Sequence, residues 1–399
     1  MISILAFFLG LTDYKISFLS LADVAILGLV FFSFVSSRKL LVNKRELLSV
    51  GLLLLGTFMA FLFNYTEKYF SVIEFFKSFM KLLLYIIACW KVPNLLNIRR
   101  TDVVQIVRCF LYCSVIAGVL QLVIVHCLGL ESWPLYAMGG QWFGLQTYNT
   151  MLVNNGMIRA RSFFSEPAAF TTAISIYYAL LLFKGRTNRK KMVYDTVFYF
   201  IGIASAQSVS GFGIAVLLVI IYFLNFRDRK KCVRMLALAI PGIIALLGIF
   251  ISNEYIRSRI INLFALKDHS GVVRTLGGFY FLKEVPWYGV GIGNNAAYYF
   301  SIDISKDDLM WYSGSGEFYN WLLVAIITMG YIGAIGLVAY LFSILKKDIK
   351  LFFIVLVIGS ATGRLFTPTL WVFLIFYKTI NQQTISILKV PKEIGERMT

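Results

Sequence analysis

The chain has 399 residues, of which 59% are hydrophobic and only 15% are charged, and its mean hydropathy is +0.77. Soluble domains are about half apolar and about a quarter charged, so this composition excludes a soluble globular protein and predicts a multi-pass membrane protein. The net charge of +18 needs no nucleic-acid partner to explain it, because membrane proteins concentrate Lys and Arg in their cytoplasmic connections.

Long apolar runs recur along the whole chain. In a bilayer such runs must be helical, because lipid offers no partners for backbone polar groups. We therefore predict an all-α protein with about 11–12 transmembrane helices, forming a single integral membrane domain over residues 1–399. The predicted spans are 2–12, 17–36, 47–65, 72–91, 103–128, 168–184, 193–208, 210–226, 233–251, 319–345, 351–364 and 367–383.

Basic clusters occupy alternate connections between these spans, which predicts that those connections are cytoplasmic. They are "SRKLLVNKRE", "NIRR", "KGRTNRKK", "NFRDRKKCVR" and "LKKDIK", together with the tail "KVPKEIGER". Two long segments, 129–167 and 252–318, then face the extracytoplasmic side. They are the only places on that side with room for a folded site.

Three polar residues, Arg159, Arg161 and Glu166, precede the apolar span 168–184 in "GMIRARSFFSEPAAF". Pro167 suits the first turn of a helix, and Glu166 suits its positive end, so the three residues can form a capped, charge-paired helix start. Alternatively, the two arginines form an anion clamp, because guanidinium groups match phosphate oxygens bidentately and stay charged. Near a bilayer the obvious anion is a lipid diphosphate.

The second long segment contains Arg274 in "HSGVVRTLGGFYF", followed by "VPWYGVGIGNN". The "GVGIGNN" run lacks the GxGxxG spacing of a dinucleotide-binding loop, so we interpret it as a glycine-rich turn that folds back on the membrane. Arg274 is a candidate second phosphate ligand on the extracytoplasmic side.

Two further candidates lie at predicted helix boundaries. Glu317, Tyr319 and Asn320 lie where the second long segment enters the span 319–345, and helical spacing places Glu317 and Asn320 on one face. They form either a helix start with an interfacial aromatic residue or part of a substrate site. Arg364 lies at an extracytoplasmic boundary, where it either joins the clamp or extends towards the membrane surface.

Charged residues also occur within the predicted span 72–91. Glu74, Lys77 and Lys81 follow helical spacing on one face. Charges in a membrane normally face protein or a water-filled cavity. The stripe is therefore either buried and mutually neutralising or a polar wall of the substrate cavity, with Lys81 as a substrate-binding candidate.

Five segments resemble, in the same order, motifs of the bacterial O-antigen and capsular polysaccharide repeat-unit polymerases (Wzy) in the O-antigen ligase-like superfamily. The segments are "RARSFFSEPAAF", "SVSGFGIAVLLV", "VVRTLGGFYFLKEVPWYGVGIGN", "EFYNWLLVAIITMGYIGAIGLV" and "FTPTLWVFLIF". The resemblance covers residues 155–376, whereas the first 150 residues match only in hydropathy.

The resemblance implies a GT-C-like membrane glycosyltransferase of the bacterial cytoplasmic (inner) membrane, with its active site on the extracytoplasmic face. Such an enzyme transfers a growing glycan from undecaprenyl pyrophosphate to the non-reducing end of a lipid-linked repeat unit. The implied partners are undecaprenyl-pyrophosphate-linked oligosaccharides as donor and acceptor, membrane lipids and a chain-length regulator. In this family arginines of two outer loops hold the pyrophosphates, which here implies Arg159, with Arg161 beside it, and Arg274.

The sequence departs from the related ligases at one position. They often carry a histidine just before the asparagine of the helix after the second long segment, where it can act as a base, and Tyr319 stands there in this chain. The resemblance then leaves Glu166 as the first candidate base and Glu317 as the second. No cofactor is expected, and no metal-ligand signature occurs.

Two alternatives remain at this stage. One is a ligase that transfers the glycan to another acceptor. The other, from a different class, is a lipid-linked oligosaccharide transporter, although such transporters usually show two pseudo-repeated halves and this chain shows no internal repeat. The product can be O-antigen lipopolysaccharide, capsule or exopolysaccharide.

Overall fold

The structure, a computed structural model, describes most of the chain. The described residues are 2–11, 15–16, 19–36, 40, 42–128, 145–146, 153–154, 157–164, 166–184, 189–223, 248, 257–258, 261–262, 278–302, 320–362 and 367–395.

The described chain is mostly helical. In chain order the helices are α1 (Ile2–Phe8), α2 (Leu21–Ser36), α3 (Lys44–Asn64), α4 (Val72–Ile98), α5 (Val103–Leu128), α6 (Pro167–Lys184), α7 (Arg189–Ala206), α8 (Val209–Phe223), α9 (Gly278–Phe281), α10 (Asn295–Ser301), α11 (Trp321–Leu345), α12 (Ile349–Thr362) and α13 (Pro368–Gly395).

Five strands of only two residues each occur among the described residues, and the described chain is otherwise mostly helical, as the all-α expectation requires. They are β1 (Lys15–Ile16), β2 (Leu19–Ser20), β3 (Leu145–Gln146), β4 (Val153–Asn154) and β5 (Met157–Ile158). Strand β1 pairs antiparallel with both β2 and β3, and β4 pairs antiparallel with β5. The β4–β5 pair ends immediately before Arg159.

The apolar helices agree with a multi-pass membrane protein. Among the described residues, four helices are long and apolar enough to cross a membrane: α3, α5 over Val103–Ile124, α6 and α11. Helices α2, α8 and α12 are apolar but shorter. Helices α4 and α7 also match predicted spans but carry several charged residues. The predicted span 233–251 lies outside the described residues except for residue 248.

Two helices continue past their predicted ends. Helix α4 runs to Ile98 instead of residue 91 and passes through Pro93. Its added turns bury Leu95 and Leu96 completely, so packing extends the helix beyond the apolar run. Helix α13 similarly runs to Gly395 instead of residue 383.

Contacts between helices place the described parts of three basic connections at one end of the bundle. Lys184, which ends α6, forms a 2.5 Å ion pair with Asp348, between α11 and α12. Lys378 of α13 forms a 2.8 Å ion pair with Glu46 in the first turn of α3. We call this end the basic side and the other end of the helices the far side. The arrangement agrees with the alternation that the charge pattern predicts.

Helices α5 and α7 are oriented consistently with this arrangement. Both begin at the basic side, where Arg108 of α5 donates to both carboxylate oxygens of Asp195 of α7, at 2.8 and 3.2 Å. Tyr112, one turn further along α5, donates to the same carboxylate at 2.7 Å. The two helices therefore run in parallel and end together at the far side.

Helix α3 packs closely against α11 through glycines. A side chain on Gly56 would overlap the backbone of Gly333, and one on Gly336 would overlap the backbone of Leu53. Small residues that let two backbones approach are the usual basis of helix packing in membranes. The pairings also show that α3 and α11 are antiparallel.

Candidate functional site

The structure describes five of the nine residues that the sequence assigns to the site: Arg159, Arg161, Glu166, Lys81 and Asn320. The other four lie outside the described residues, and their roles stay predictions: Arg274, Glu317, Tyr319 and Arg364.

Helix α5 fastens residues 159–162, which we call the arginine segment. Gln121 is completely buried on α5, and its Oε1 accepts the N–H groups of Arg161 at 2.9 Å and Ser162 at 3.1 Å. The hydroxyl of Ser162 donates to the carbonyl of Ser114 at 2.6 Å. Ser162 has a left-handed backbone with φ of 54°, which is costly for a residue with a Cβ, so these bonds hold a strained turn in place.

The arginine segment is also bound to the end of α7. The N–H of Ala160 donates to the carbonyl of Ser205 at 3.0 Å. Nε of Arg159 donates to the carbonyl of Ala206, the last residue of α7, at 3.4 Å. The guanidinium of Arg159 therefore lies at the far side, away from the basic connections.

The two arginines differ in burial. Arg161 is only 3% exposed, so its guanidinium lies within the protein. Arg159 is partly exposed. Because a ligand must reach the charge, Arg159 is the better placed of the two to bind an anion from outside the bundle.

The residues 207–210, which we call the serine turn, join α7 to α8. Gln207 has a left-handed backbone with φ of 45°. Ser208 accepts the first helical bond of α8, from the N–H of Phe212 at 3.0 Å, so it is the N-cap. The hydroxyls of Ser208 and Ser210 lie 3.0 Å apart and share one hydrogen bond.

The N-termini of α6 and α8 lie side by side at the far side. A Cβ on Gly211, in the first turn of α8, would lie 2.7 Å from the side chain of Thr171 on α6. Glu166, partly buried, is the N-cap of α6, and its backbone carbonyl accepts the N–H of Phe170 at 3.0 Å. Helix N-termini carry a partial positive charge, so this pair of ends adds to the positive character that Arg159 supplies.

Lys81 has a carboxylate partner that the sequence analysis missed. Its Nζ lies 2.9 Å from Oδ2 of Asp23, which is completely buried on α2. Tyr85, one turn further along α4, donates to Oδ1 of the same carboxylate at 2.6 Å. The Asp23 carboxylate also accepts the N–H of Ser20, and the N–H of Asp23 donates to the hydroxyl oxygen of Ser20. These two bonds form a reciprocal cap at the start of α2.

The predicted charged stripe on α4 is therefore not one buried unit. Glu74 and Lys77 form a 2.7 Å ion pair with each other, and their side chains are 51% and 40% exposed. Lys81, by contrast, is mostly buried against α2. The stripe divides because Asp23, on another helix, supplies the countercharge that Lys81 needs.

Asn320 is the N-cap of α11. Its Oδ1 accepts the N–H groups of Leu322 at 3.1 Å and Leu323 at 3.2 Å, and the residue is 7% exposed. This geometry corresponds to the helix-start interpretation of the sequence, because the side-chain oxygen is already used inside the helix.

Residues 287–294, which we call the glycine segment, fold back against α11. The N–H groups of Val290 and Gly291 donate to the carbonyls of Ile327 and Thr328 at 2.8 and 3.0 Å. Those carbonyls are freed because α11 is broken at Gly330, where φ is 67° and ψ is −177°. The glycine-rich run therefore forms a turn, and this turn lies against α11.

Two asparagines bind the glycine segment to α3 and to the start of α4. Nδ2 of Asn64, which ends α3, donates to the carbonyl of Gly289 at 2.9 Å. Oδ1 of Asn294 accepts the N–H of Ser71, the N-cap of α4, at 2.6 Å. The segment therefore joins three helices at the far side.

Tyr69 completes this attachment. Its hydroxyl donates to Oδ1 of Asn64, and its ring lies against that of Tyr298 with centroids 4.8 Å apart. Burial, followed by the neighbouring Tyr298, raises the pKa of Tyr69. The phenol therefore keeps the proton that it donates across the physiological range of pH.

Sequence reasoning missed Asp23, Gln121 and Gln207. Asp23 and Gln121 are polar residues within otherwise apolar helical runs, "LADVAILGL" and "VIAGVLQLVIV". An isolated polar residue in a predicted span needs a partner in the protein, so both positions carried a readable signal. The partner itself could not be read, because it lies on another helix.

No protein-family model matches the chain, and no curated protein matches it. Within the described part of the chain, no three His, Cys, Asp or Glu residues lie together so as to hold a metal ion.

Proposed function

We propose that this protein is a polysaccharide repeat-unit polymerase. In this proposal it transfers a growing glycan from undecaprenyl pyrophosphate to the non-reducing end of a lipid-linked repeat unit, at the extracytoplasmic face of the bacterial cytoplasmic membrane. The observation that carries the proposal is the position of Arg159. Its guanidinium lies at the far side, where α7 ends and α8 begins. The ordered sequence motifs supply the choice of reaction and the GT-C-like fold.

Arg159 suits the departure of a diphosphate. When the bond between the sugar and the diphosphate breaks, negative charge grows on the phosphate oxygen, and a fixed guanidinium stabilises that charge without moving. The bonds from Gln121, Ser205 and Ala206 hold the arginine segment rigidly, which is what such preorganised stabilisation requires. Arg274 supplies the second phosphate contact in this proposal.

The acceptor hydroxyl must lose a proton as it attacks. In the proposal Glu166, seven residues after Arg159 and partly buried at the start of α6, accepts this proton. Glu317 is the second candidate for the same role.

A ligase that uses another acceptor fits the same diphosphate site and differs only in where the glycan goes. Product analysis separates the two: a polymerase gives a ladder of repeat units, whereas a ligase gives one transfer to its acceptor. The transporter alternative predicts movement of intact lipid-linked sugar without a new glycosidic bond.

The proposal is tested by replacing Arg159 with Ala in membranes supplied with lipid-linked repeat units. We expect the long-glycan ladder to fall by about 100-fold, while single repeat units accumulate, because one charged contact to the transition state is lost. Arg159→Lys should retain part of the activity, since lysine keeps the charge but not the fork.

The matched control is Arg100→Ala, at an exposed position on the basic side after α4. It should leave the ladder unchanged. A normal ladder from Arg159→Ala, at normal protein abundance, would remove the basis of the proposal.

A further inference from the structure

The serine turn carries polar groups that the described part of the protein does not use. Oε1 of Gln207 is buried from solvent and has no hydrogen-bond partner among the described residues. The hydroxyls of Ser208 and Ser210 hold two protons and share one hydrogen bond, so one proton remains for another acceptor. Buried polar groups are nearly always paired in native proteins, so an unpaired group on the residue after Ala206, which binds Arg159, points to a ligand.

The choice of residue at position 207 supports this view. The left-handed backbone there ends α7, and glycine is the residue that adopts it at least cost. Ser162 has a similar backbone, but its side chain is used inside the protein, on the carbonyl of Ser114. The side chain of Gln207 has no such use in the described structure, although the strained position would favour glycine.

The chemistry of the serine turn and its neighbours defines the ligand. Arg159, whose Nε donates to the carbonyl of Ala206 just before Gln207, has the charge that suits phosphoryl oxygens, and the spare serine proton suits them too. A diphosphate cannot satisfy the carbonyl of Gln207, because its ionised oxygens carry no proton. A hydroxyl or an N-acetyl N–H of a sugar attached to that diphosphate can donate to the carbonyl.

We infer that the serine turn recognises the first sugar of a lipid-linked donor, with Gln207 bonded to a hydroxyl or amide group of that sugar and the Ser208–Ser210 pair bonded to the adjoining phosphate. This inference rests on the proposed function and deepens it. Gln207 is then a specificity-determining residue, because a site built around a buried amide rejects ligands that lack the matching donor.

The test compares two probes on the purified protein in detergent: a polyprenyl diphosphate, and the same lipid carrying one N-acetylhexosamine on the diphosphate. Gln207→Met removes the hydrogen-bonding groups at similar length, and Gln207→Gly also relieves the backbone. Both variants should bind the sugar-bearing probe about tenfold more weakly and the sugar-free probe within twofold of the wild type. Ser210→Ala should weaken both probes.

Arg100→Gly is the matched control, because Arg100 also has a left-handed backbone, with φ of 49°, at a helix end on the basic side. It should bind both probes like the wild type. Thermal unfolding checks that each variant is folded, and Gln207→Gly is expected to be at least as stable as the wild type.

The outcomes separate the two proposals. If the wild type binds both probes and the Gln207 variants lose neither, or lose both equally, recognition of the sugar is wrong and the proposed function stands. If the wild type binds neither probe, the proposed function fails and this inference fails with it.

Discussion

At the scale of the residue, isolated polar side chains within apolar helices find partners on neighbouring helices. Asp23 is completely buried, and Lys81, Tyr85 and Ser20 all bond to it. A charge that is taken out of solvent is tolerated only when it is paired and hydrogen-bonded. The Asp23–Lys81 pair therefore fixes the packing of α2 against α4.

The first stability prediction concerns this pair. Asp23→Asn should destabilise the protein by about 3 kcal/mol, because the mostly buried ammonium of Lys81 loses its countercharge. Thermal unfolding in detergent measures the change. The matched control is Glu74→Gln, which breaks an exposed ion pair on α4, the helix that carries Lys81. It should cost less than about 1 kcal/mol of stability.

The double variant Asp23→Leu with Lys81→Met should recover most of the lost stability, since it removes both charges and keeps their approximate volume. If it also keeps normal glycan synthesis, Lys81 is a structural residue. Loss of synthesis in a stable double variant would return Lys81 to the substrate site.

At the scale of the element, helix α11 is broken so that the glycine segment can bind to it. Gly330 adopts a backbone conformation that is open essentially to glycine alone. A Cβ there would also lie 2.5 Å from the carbonyl oxygen of Trp287. The break frees the carbonyls of Ile327 and Thr328, and N–H groups of the glycine segment donate hydrogen bonds to them.

The second stability prediction follows from this geometry. Gly330→Ala should destabilise the protein by about 3 kcal/mol and detach the glycine segment from α11. Hydrogen exchange measures the detachment as faster exchange at Val290 and Gly291.

Gly51→Ala on α3 is the control, because a Cβ at Gly51 meets no atom within 4 Å. It should leave exchange unchanged and stabilise the helix by about 0.5–1 kcal/mol. Unchanged exchange in Gly330→Ala would show that the break does not hold the glycine segment.

At the scale of the whole molecule, the described ion pairs near basic connections agree with one arrangement. In this arrangement the described basic connections lie on one side of the bundle. Lys184–Asp348 and Lys378–Glu46 join four helix ends there. The arginine segment and the glycine segment lie at the far side. The charge pattern predicts that the basic side is cytoplasmic.

Cysteine labelling in whole cells tests this orientation. In a variant without the five native cysteines, Glu67→Cys places a thiol in the exposed connection between α3 and α4, and Lys346→Cys places one after α11. A membrane-impermeant maleimide should label the first in intact cells and the second only after permeabilisation. The reverse pattern would place Arg159 in the cytoplasm and contradict the proposed function.

The sequence by itself determined the helical class, the order of the apolar helices and the alternation of the basic connections, because these depend on local hydropathy and charge. It also identified Arg159 and Glu166 as neighbours of a helix start. Only the tertiary structure decided that Asp23 is the partner of Lys81, that Gln121 holds the arginine segment and that Gly330 breaks α11. Each of these depends on contacts between residues distant in sequence, which local periodicity and spacing do not encode.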